Sequence, residues 1–549
     1  MPTRIRLASA SRARLAAAVV LLAALLGSAQ DATAQYPDAR IVPRGTLRFD
    51  FAPVYIGYSE RFASDGTVEA LGTDFTDGNA GVRLIPSMWT PQNAIRSIIG
   101  DPAYTIDAGA FRTTLDADIR RFPLNLELGI SNRLTITASI PLVTTRAQVN
   151  FVIDSTNSDM GLNEAGRLEA TATRQLLEEL EAGAAFVESQ IAGGGYGCPG
   201  SAQCTEAQAL VSRTRTLIGD LMALTGVLAQ GVNPILPPNA PLEASSAGLA
   251  VTAAVEDVKA DLATFGATPV SQSLALPASA ADTATFNDML VADGWGYGAD
   301  PLSFVKYSMK FGDAEVGVRW SALQGSSLRA VLGGTVRLPT GKVDTPENFV
   351  DIGTGDRQID VALDAEAVWR FGSILALAGM ASYTFQLGHN LERRITSHTR
   401  PIAIAATQQL VSRNLGDYFE AGLYPTIYLS RSFVAYGSAY YYYKPTDRFD
   451  LTGPYSLPDD QLPTDITDLE FETSRETLSF GAGIHYYSTQ GRHTTKLPIE
   501  AGIDYRTAFQ GTGGMTPKAS RLTFYLRLYL RLWGRGGEDR PIPEEEPGG

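Results

Sequence analysis

The chain has 549 residues, a formal charge of −14, a pI near 4.9, 53 glycines and two cysteines. The acidic balance argues against a nucleic-acid partner, since phosphate contacts need basic patches. Two cysteines fall short of the usual four-ligand structural metal site, and beyond the N-terminus no uninterrupted apolar run of about 20 residues offers a spanning helix.

Residues 1–34 read as a secretion leader. Arg4, Arg6, Arg12 and Arg14 precede the apolar run Leu15–Leu26, too short to span, and Ala32-Thr33-Ala34 is a small-residue cleavage site, so the mature chain is expected to begin at Gln35. Residues 35–154 carry the first strands. Leu47, Phe49 and Phe51 alternate with Arg48 and Asp50; after a polar stretch to about 120, Phe122, Leu124, Leu126 and Leu128 alternate with Arg121, Asn125 and Glu127. Past the turn Ser131-Asn132-Arg133, Leu134, Ile136, Ala138, Ile140 and Leu142 oppose Thr135, Thr137 and Ser139. Successive strand side chains point to opposite faces, so this is a hairpin with one apolar face.

Residues 155–302 have a different composition. The stretches 164–191, 206–230 and 244–265 are rich in Ala, Leu, Glu and Gln and read as helices, with Thr205 and Gln208 spaced as a capping box. Cys198 and Cys204 are expected to form a loop disulfide, in an oxidising compartment, that pins the turn between two of them. An insert this long carries weight of its own. It reads first as a rigid cap of surface helices, and otherwise as a gate or plug.

Strand alternation returns over 303–533. Asp313, Glu315 and Arg319 oppose Ala314, Val316, Val318 and Trp320; Arg329 and Arg337 oppose Leu328, Leu332 and Val336; Asp360, Asp364, Glu366 and Arg370 oppose Val361, Leu363, Trp369 and Phe371. Glu420 opposes Phe419 and Leu423, and Glu500, Asp504 and Arg506 oppose Ile499 and Ile503. The run Tyr440–Tyr443 has the composition of an aromatic girdle at a membrane surface. In Arg521–Trp533, six apolar residues from Leu522 to Leu532 oppose Thr523, Tyr525, Arg527, Tyr529, Arg531 and Trp533. An acidic, proline-rich tail, 534–549, follows, so either Trp533 acts internally as the terminal aromatic that barrels use in assembly, or a variant of that signal inserts this barrel.

About twelve strands result, or up to fourteen if 303–310 is a strand of its own. Short connections at 131–133, 323–327, 371–373, 430–432 and 489–495 alternate with long ones at 59–120, 148–311, 339–357, 387–416, 444–474 and 508–521. This predicts an all-β, antiparallel, up-and-down transmembrane barrel in the outer membrane of a Gram-negative-type bacterium, closed by pairing of the last strand with the one near Thr46. The lumen would be lined by Arg48, Asp50, Glu127, Asp313, Glu315, Arg319, Arg329, Arg337, Asp360, Asp364, Glu366, Arg370, Glu420, Glu500, Asp504, Arg506, Arg527 and Arg531. Their nearly matched signs suggest ion pairs that stiffen the wall, and Arg527 and Arg531 are expected to reach Asp50, Glu500 or Asp504 across the lumen.

Gly353-Thr-Gly-Asp356 lacks the lysine and the strand-to-helix context of a phosphate loop and reads as a turn. His389, His398, His485 and His493 sit in no Ser, Asp or Glu motif and read as structural. No catalytic, cofactor or metal site is expected. The expected partners are outer-membrane lipid, the barrel-assembly machinery and a small solute; oligomeric state is left open.

Three stretches add a resemblance. Phe122–Val143, with Leu-Glu-Leu-Gly-Ile-Ser-Asn-Arg-Leu and then Ala-Ser-Ile-Pro-Leu-Val, resembles a hairpin of the outer-membrane barrels linked to the meta-cleavage pathway of phenol degradation. Phe311–Trp320 resembles that family's Gly-Asp strand, and Leu338-Pro-Thr-Gly341 with Gly353-Thr-Gly-Asp356 resembles its loop and return. The family is grouped with channels similar to the long-chain fatty-acid transporter, so the resemblance implies passage or binding of small hydrophobic or aromatic compounds. The helical insert lies outside the pattern. A sealed barrel whose insert is an adhesion or interaction module is the competing reading, and a barrel enzyme the third.

Overall fold

The computed structural model describes residues 36–228, 231–232, 236–292, 294–302, 305–396, 399–455, 464–488 and 499–533. The leader, His398, His493, the connection at 489–495 and the tail 534–549 lie outside them. Among the described residues twelve strands form one barrel: β1 (Thr46–Phe51, continuing as Val54–Tyr58), β2 (Ala110–Gly129), β3 (Leu134–Asp154), β4 (Val305–Phe311, continuing as Glu315–Gln324), β5 (Leu328–Arg337), β6 (Asp360–Phe371), β7 (Leu375–Gln386), β8 (Tyr418–Tyr428), β9 (Phe433–Lys444), β10 (Arg475–Tyr487), β11 (Ile499–Thr512) and β12 (Ser520–Arg531). Each pairs antiparallel with its neighbours, and β12 closes on β1 with Thr46 opposite Arg531 and Phe51 opposite Leu526. Closure leaves the main ladder without an edge.

Two strands are interrupted. Pro53 has no N–H to give the ladder, and β1 breaks at Ala52-Pro53. β4 breaks at Gly312-Asp313-Ala314, yet both of its pieces pair with β3, Phe311 opposite Leu142 and Glu315 opposite Ser139. Residues 305–311 are therefore part of a strand already counted, and the number stays at twelve.

The exterior between the two rims is apolar. Leu126, Val318, Leu332, Leu363, Leu423, Ile484 and Leu526 are all exposed, while the charged residues at the alternate positions are buried or half-buried inside. Trp320, Trp369, Phe371 and Phe433 ring the end with the short turns, and Tyr383, Phe385, Phe419 and Tyr443 ring the other. On β6, Trp369 is eight residues from Val361, which lies beside Phe385. At a rise of about 3.3 Å and a tilt near 40° this separates the girdles by roughly 20 Å, close to the apolar band of a membrane barrel. The tyrosine run does only half of what its composition suggests: Tyr443 faces outward, but Tyr440 is buried in the lumen and Tyr442 stacks there on Tyr418 at 5.6 Å. Strand parity forces the division, because four consecutive residues cannot share a face.

Short turns at 130–133, 325–327, 372–374 and 429–432 mark one end and long connections the other, with one correction. The connection expected at 508–521 is short, because β11 continues to Thr512 and β12 begins at Ser520.

β2 and β3, at 20 and 21 residues, extend far past the membrane rim. Below Phe122 and Leu142 the apolar residues face outward. Above them the code inverts: Phe111, Ala117, Val149, Phe151 and Ile153 turn inward and are buried, while Arg112, Asp116, Gln148 and Asn150 face out. The inward face supports the inserted helices. The connection before β2 holds α1 (Trp89–Ile99), and the insert holds α2 (Ala170–Ala192), α3 (Ala202–Thr225), α4 (Ser246–Thr264) and α5 (Thr283–Val291). α1 and α5 have no counterpart in the sequence reading. Phe286 of α5 stands with Phe111 and Phe151 at centroid distances of 5.1–5.3 Å. One core runs from this trio through Leu180, Leu221 and Val255 to Trp295, Tyr297 and Ile402, so the insert is a cap fused to the barrel rim. Cys198 and Cys204 are disulfide-bonded between α2 and α3. The cap residue of α3 is Ser201, whose hydroxyl accepts from the Cys204 N–H at 2.9 Å, and not Thr205, whose hydroxyl donates back to the Ser201 carbonyl.

Candidate functional site: the lumen and the segment inside it

A strand that must be apolar toward lipid has only its alternate positions for polar groups, and these converge in the lumen. They pair along the wall, between neighbouring strands. Arg48 meets its register partner Glu127 at 2.5 Å. Arg527 lies between its two register partners, Asp50 at 3.1 Å and Glu500 at 3.4 Å. Arg337 meets Asp360, again directly opposite, at 2.5 Å and the Tyr418 hydroxyl at 3.0 Å. Arg319 reaches over β5 to Glu366 at 2.6 Å. The strand it crosses offers Gly333 there, where a Cβ would meet the Asp364 carboxylate at 2.2 Å. The expected reach of Arg527 across the lumen is replaced by these lateral contacts, because adjacent strands hold facing side chains only about 5 Å apart.

The remaining positions are distributed as follows. Arg506 lies over the Tyr440 ring at 3.7 Å, and the Tyr440 hydroxyl donates to Glu420. Glu315 and Asp504 are buried inside the barrel. Arg370 lies over Tyr428 at 4.8 Å near the short-turn end, where Arg329 is half-buried. Arg531 is exposed at the end of β12. Asp313 belongs to the β4 break, where it accepts from the N–H groups of Gly341 at 2.6 Å and Asp356 at 2.9 Å. It thus ties down both arms of the connection between β5 and β6, including the Gly353–Asp356 turn.

What fills the space between these walls has no signature in the sequence. Residues 36–44 fold back into the lumen from the short-turn end, where the Gly45 N–H donates to the Gly129 carbonyl at 2.8 Å. The Val42 N–H donates to the Thr135 hydroxyl at 3.1 Å. The Arg40 guanidinium lies over Tyr487 at 5.1 Å, and Asp38 adds a third carboxylate to Arg527 at 3.6 Å. Tyr36 is 3% exposed, with its ring 4.8 Å from Tyr436, 6.3 Å from Tyr424 and 6.1 Å from His485. His485 itself stacks on Tyr487 at 3.7 Å and faces Glu500 at 3.7 Å. Tyr424, Tyr436, Tyr487 and Tyr525 share parity with the lumen charges, so their position was legible; the segment meeting them was not.

His389 lies outside the membrane, in a rim sheet formed by His389–Arg394, Gln408–Asn414 and Arg448–Leu451. Burial, with Arg413 and Arg357 nearby, lowers its pKa from the ordinary imidazole value, against a smaller opposing effect of Asp356. The fold therefore favours neutral imidazole. Its contribution is complete above the unfolded value near 6.5 and is lost as pH falls through the lower folded value. We expect amide protection in this sheet to drop between pH 7 and 5 and the drop to flatten in His389→Gln; an unchanged response in that variant refutes the assignment.

The class this geometry defines is an outer-membrane β-barrel: an even, closed, antiparallel ring with a lipid-facing exterior, short turns at one end and long connections at the other. Among the described residues no helix is long and apolar enough to cross a membrane. No family model and no curated protein matches the chain. Solved structures similar to it include an outer membrane channel from Pseudomonas putida F1 at 9% identity, covering 90% of this chain and 98% of that one with a TM-score of 0.38. The toluene transporters TbuX of Ralstonia pickettii (8% identity, 90% of each chain, TM-score 0.28) and TodX of Pseudomonas putida (11%, 90% of each chain, 0.26) are also similar. At these identities and scores, function has to be argued from the chain's own geometry.

Proposed function

We propose that the protein is a gated outer-membrane channel for small apolar or aromatic solutes, with residues 36–44 as its gate. The observation that carries this reading is Tyr36. An aromatic ring supplied by a separate segment occupies a slot walled edge-on by Tyr424 and His485 and at a tilt by Tyr436, and a planar solute of similar size fits the same surroundings. The wall's own ion pairs, Arg48–Glu127, Arg319–Glu366 and Arg337–Asp360, close without help from the segment. Withdrawal of residues 36–44 therefore leaves these pairs in place and gives up the segment's own contacts, among them Asp38–Arg527, Arg40–Tyr487, Val42–Thr135 and the rings around Tyr36. The sealed-barrel alternative needs charges that lock the two sides of the lumen together, and the pairs instead run between adjacent strands or over one intervening strand.

The test is single-channel recording of the purified protein in planar bilayers. The wild type is expected to be mostly closed. Tyr36→Ala with Asp38→Ala, which removes an aromatic contact and an ion pair worth together about 1.4 kcal/mol or more, is expected to raise open probability roughly tenfold. Phenol or toluene in the bath should shift the wild type toward the variant. If neither form conducts, and neither admits a labelled aromatic solute into liposomes, the barrel is sealed.

A further inference from the structure

The outward faces of β2 and β3 change character within one step of the ladder. Phe122 and Leu142 face each other as the last apolar pair, the next outward pair is Arg120 and Thr144, and the one above it is Asp118 and Arg146. Tyr55 of β1 flanks Arg120 in register and closes edge-on against Phe122 at 6.1 Å. Two arginines thus stand immediately above the aromatic rim at the long-connection end, at the depth of lipid headgroups.

Their arrangement is specific. Both guanidiniums hold the same carboxylate through their Nε atoms, Arg146 on one oxygen of Asp118 and Arg120 on the other at 3.3 Å. Among the described residues no protein partner is recorded for the terminal nitrogens of either. The side chains are 51% and 35% exposed, against 17% for Asp118, so the carboxylate is tucked behind the pair. Asp116, the next outward acid, lies one ladder step further from the membrane. Two guanidiniums anchored side by side through Nε, both more exposed than the carboxylate that holds them, leave terminal N–H donors for a phosphate, which takes paired N–H donors.

We propose that Arg120 and Arg146 bind the phosphate of a lipid headgroup in the leaflet on the long-connection side, with the acyl chains lying along Phe122, Leu142, Leu124 and Ile140. Asp118 is a positioning residue in this site. The lipid would pack against the barrel where the tall hairpin leaves the membrane.

The test is native mass spectrometry of the full protein released from detergent with bisphosphorylated lipid A. Near an anionic surface each arginine is worth about fivefold in affinity, so Arg120→Gln with Arg146→Gln is expected to weaken retention roughly twenty-five-fold. Arg120→Lys with Arg146→Lys should recover part of it, since charge remains but the fork is lost. Heat-modifiable gel migration confirms that each variant is a folded barrel. Dephosphorylated lipid A should bind wild type and variants alike, and inorganic phosphate should not displace the lipid. Equal retention of phosphorylated lipid A by wild type and the glutamine variant, or displacement by inorganic phosphate, overturns the proposal.

Discussion

Replacing Arg527 with Leu is expected to destabilise the barrel by about 3–5 kcal/mol, the usual cost of removing one partner from a buried ion pair. Arg527 sits on the closing strand between Asp50 of β1 and Glu500 of β11, and Asp38 of the inserted segment shares it. Its loss leaves three carboxylates together at the seam where the ring closes, without the guanidinium they share. Asp50→Asn should cost much less, because Glu500 and Asp38 still neutralise the guanidinium. Guanidinium-induced unfolding of the detergent-solubilised protein, read by heat-modifiable migration, measures both. If Arg527→Leu lies within 1 kcal/mol of wild type, the cluster is solvated and holds neither the seam nor the segment.

The second large effect is expected in the cap. Phe286 is fully buried against Phe111 and Phe151, and Phe286→Ala opens a cavity at the two aromatic contacts that join α5 to the hairpin. Truncations of this kind cost about 3–5 kcal/mol. Because Phe286 lies on α5, outside the hydrogen-bond ladder, and meets β2 and β3 only near the tops of the two strands, the loss should be local. Protease added to proteoliposomes should cut the insert of the variant at much lower concentration, while the barrel keeps its heat-modifiable migration. Equal resistance of wild type and variant would show that the cap is held by other contacts. Whole removal of the insert is a poorer experiment, since it would expose Val149, Phe151 and Ile153 to water and invite aggregation.

The barrel was legible in the sequence because lipid imposes a two-residue code that few other environments sustain over twelve strands. On β6, for example, Asp360, Asp364 and Glu366 alternate with exposed Leu363 and Trp369, so face and register follow from composition alone. The same code hid the tops of β2 and β3. Above Phe122 and Leu142 the apolar residues change parity, because the strand leaves lipid and its inner face meets the cap; a reader following the membrane pattern stops there. Residues 36–44 were illegible for a different reason. Tyr-Pro-Asp-Ala-Arg-Ile-Val-Pro-Arg has no period, and its two prolines and mixed charges read as linker. Its structure is defined by Tyr424, Tyr436, Tyr487 and Arg527, all several hundred residues away. The lumen charges were visible as a set, but which pairs with which depends on register, and alternation alone does not specify register.

The hairpin of β2 and β3 fixes the altitude of the cap. From the Phe122–Leu142 pair to Ala110 and Asp154, the two strands rise about 40 Å along their length, and the helices rest on the inner face of that column. Such a column can be lengthened or shortened only in matched steps of two residues per strand, each worth about 7 Å, because an odd step would turn Phe111 and Phe151 away from Phe286. The distance between the helical cap and the membrane is therefore quantised by the pleat. A chain that needed to clear a thicker surface layer could raise its cap by one such step without altering a residue of the barrel beneath.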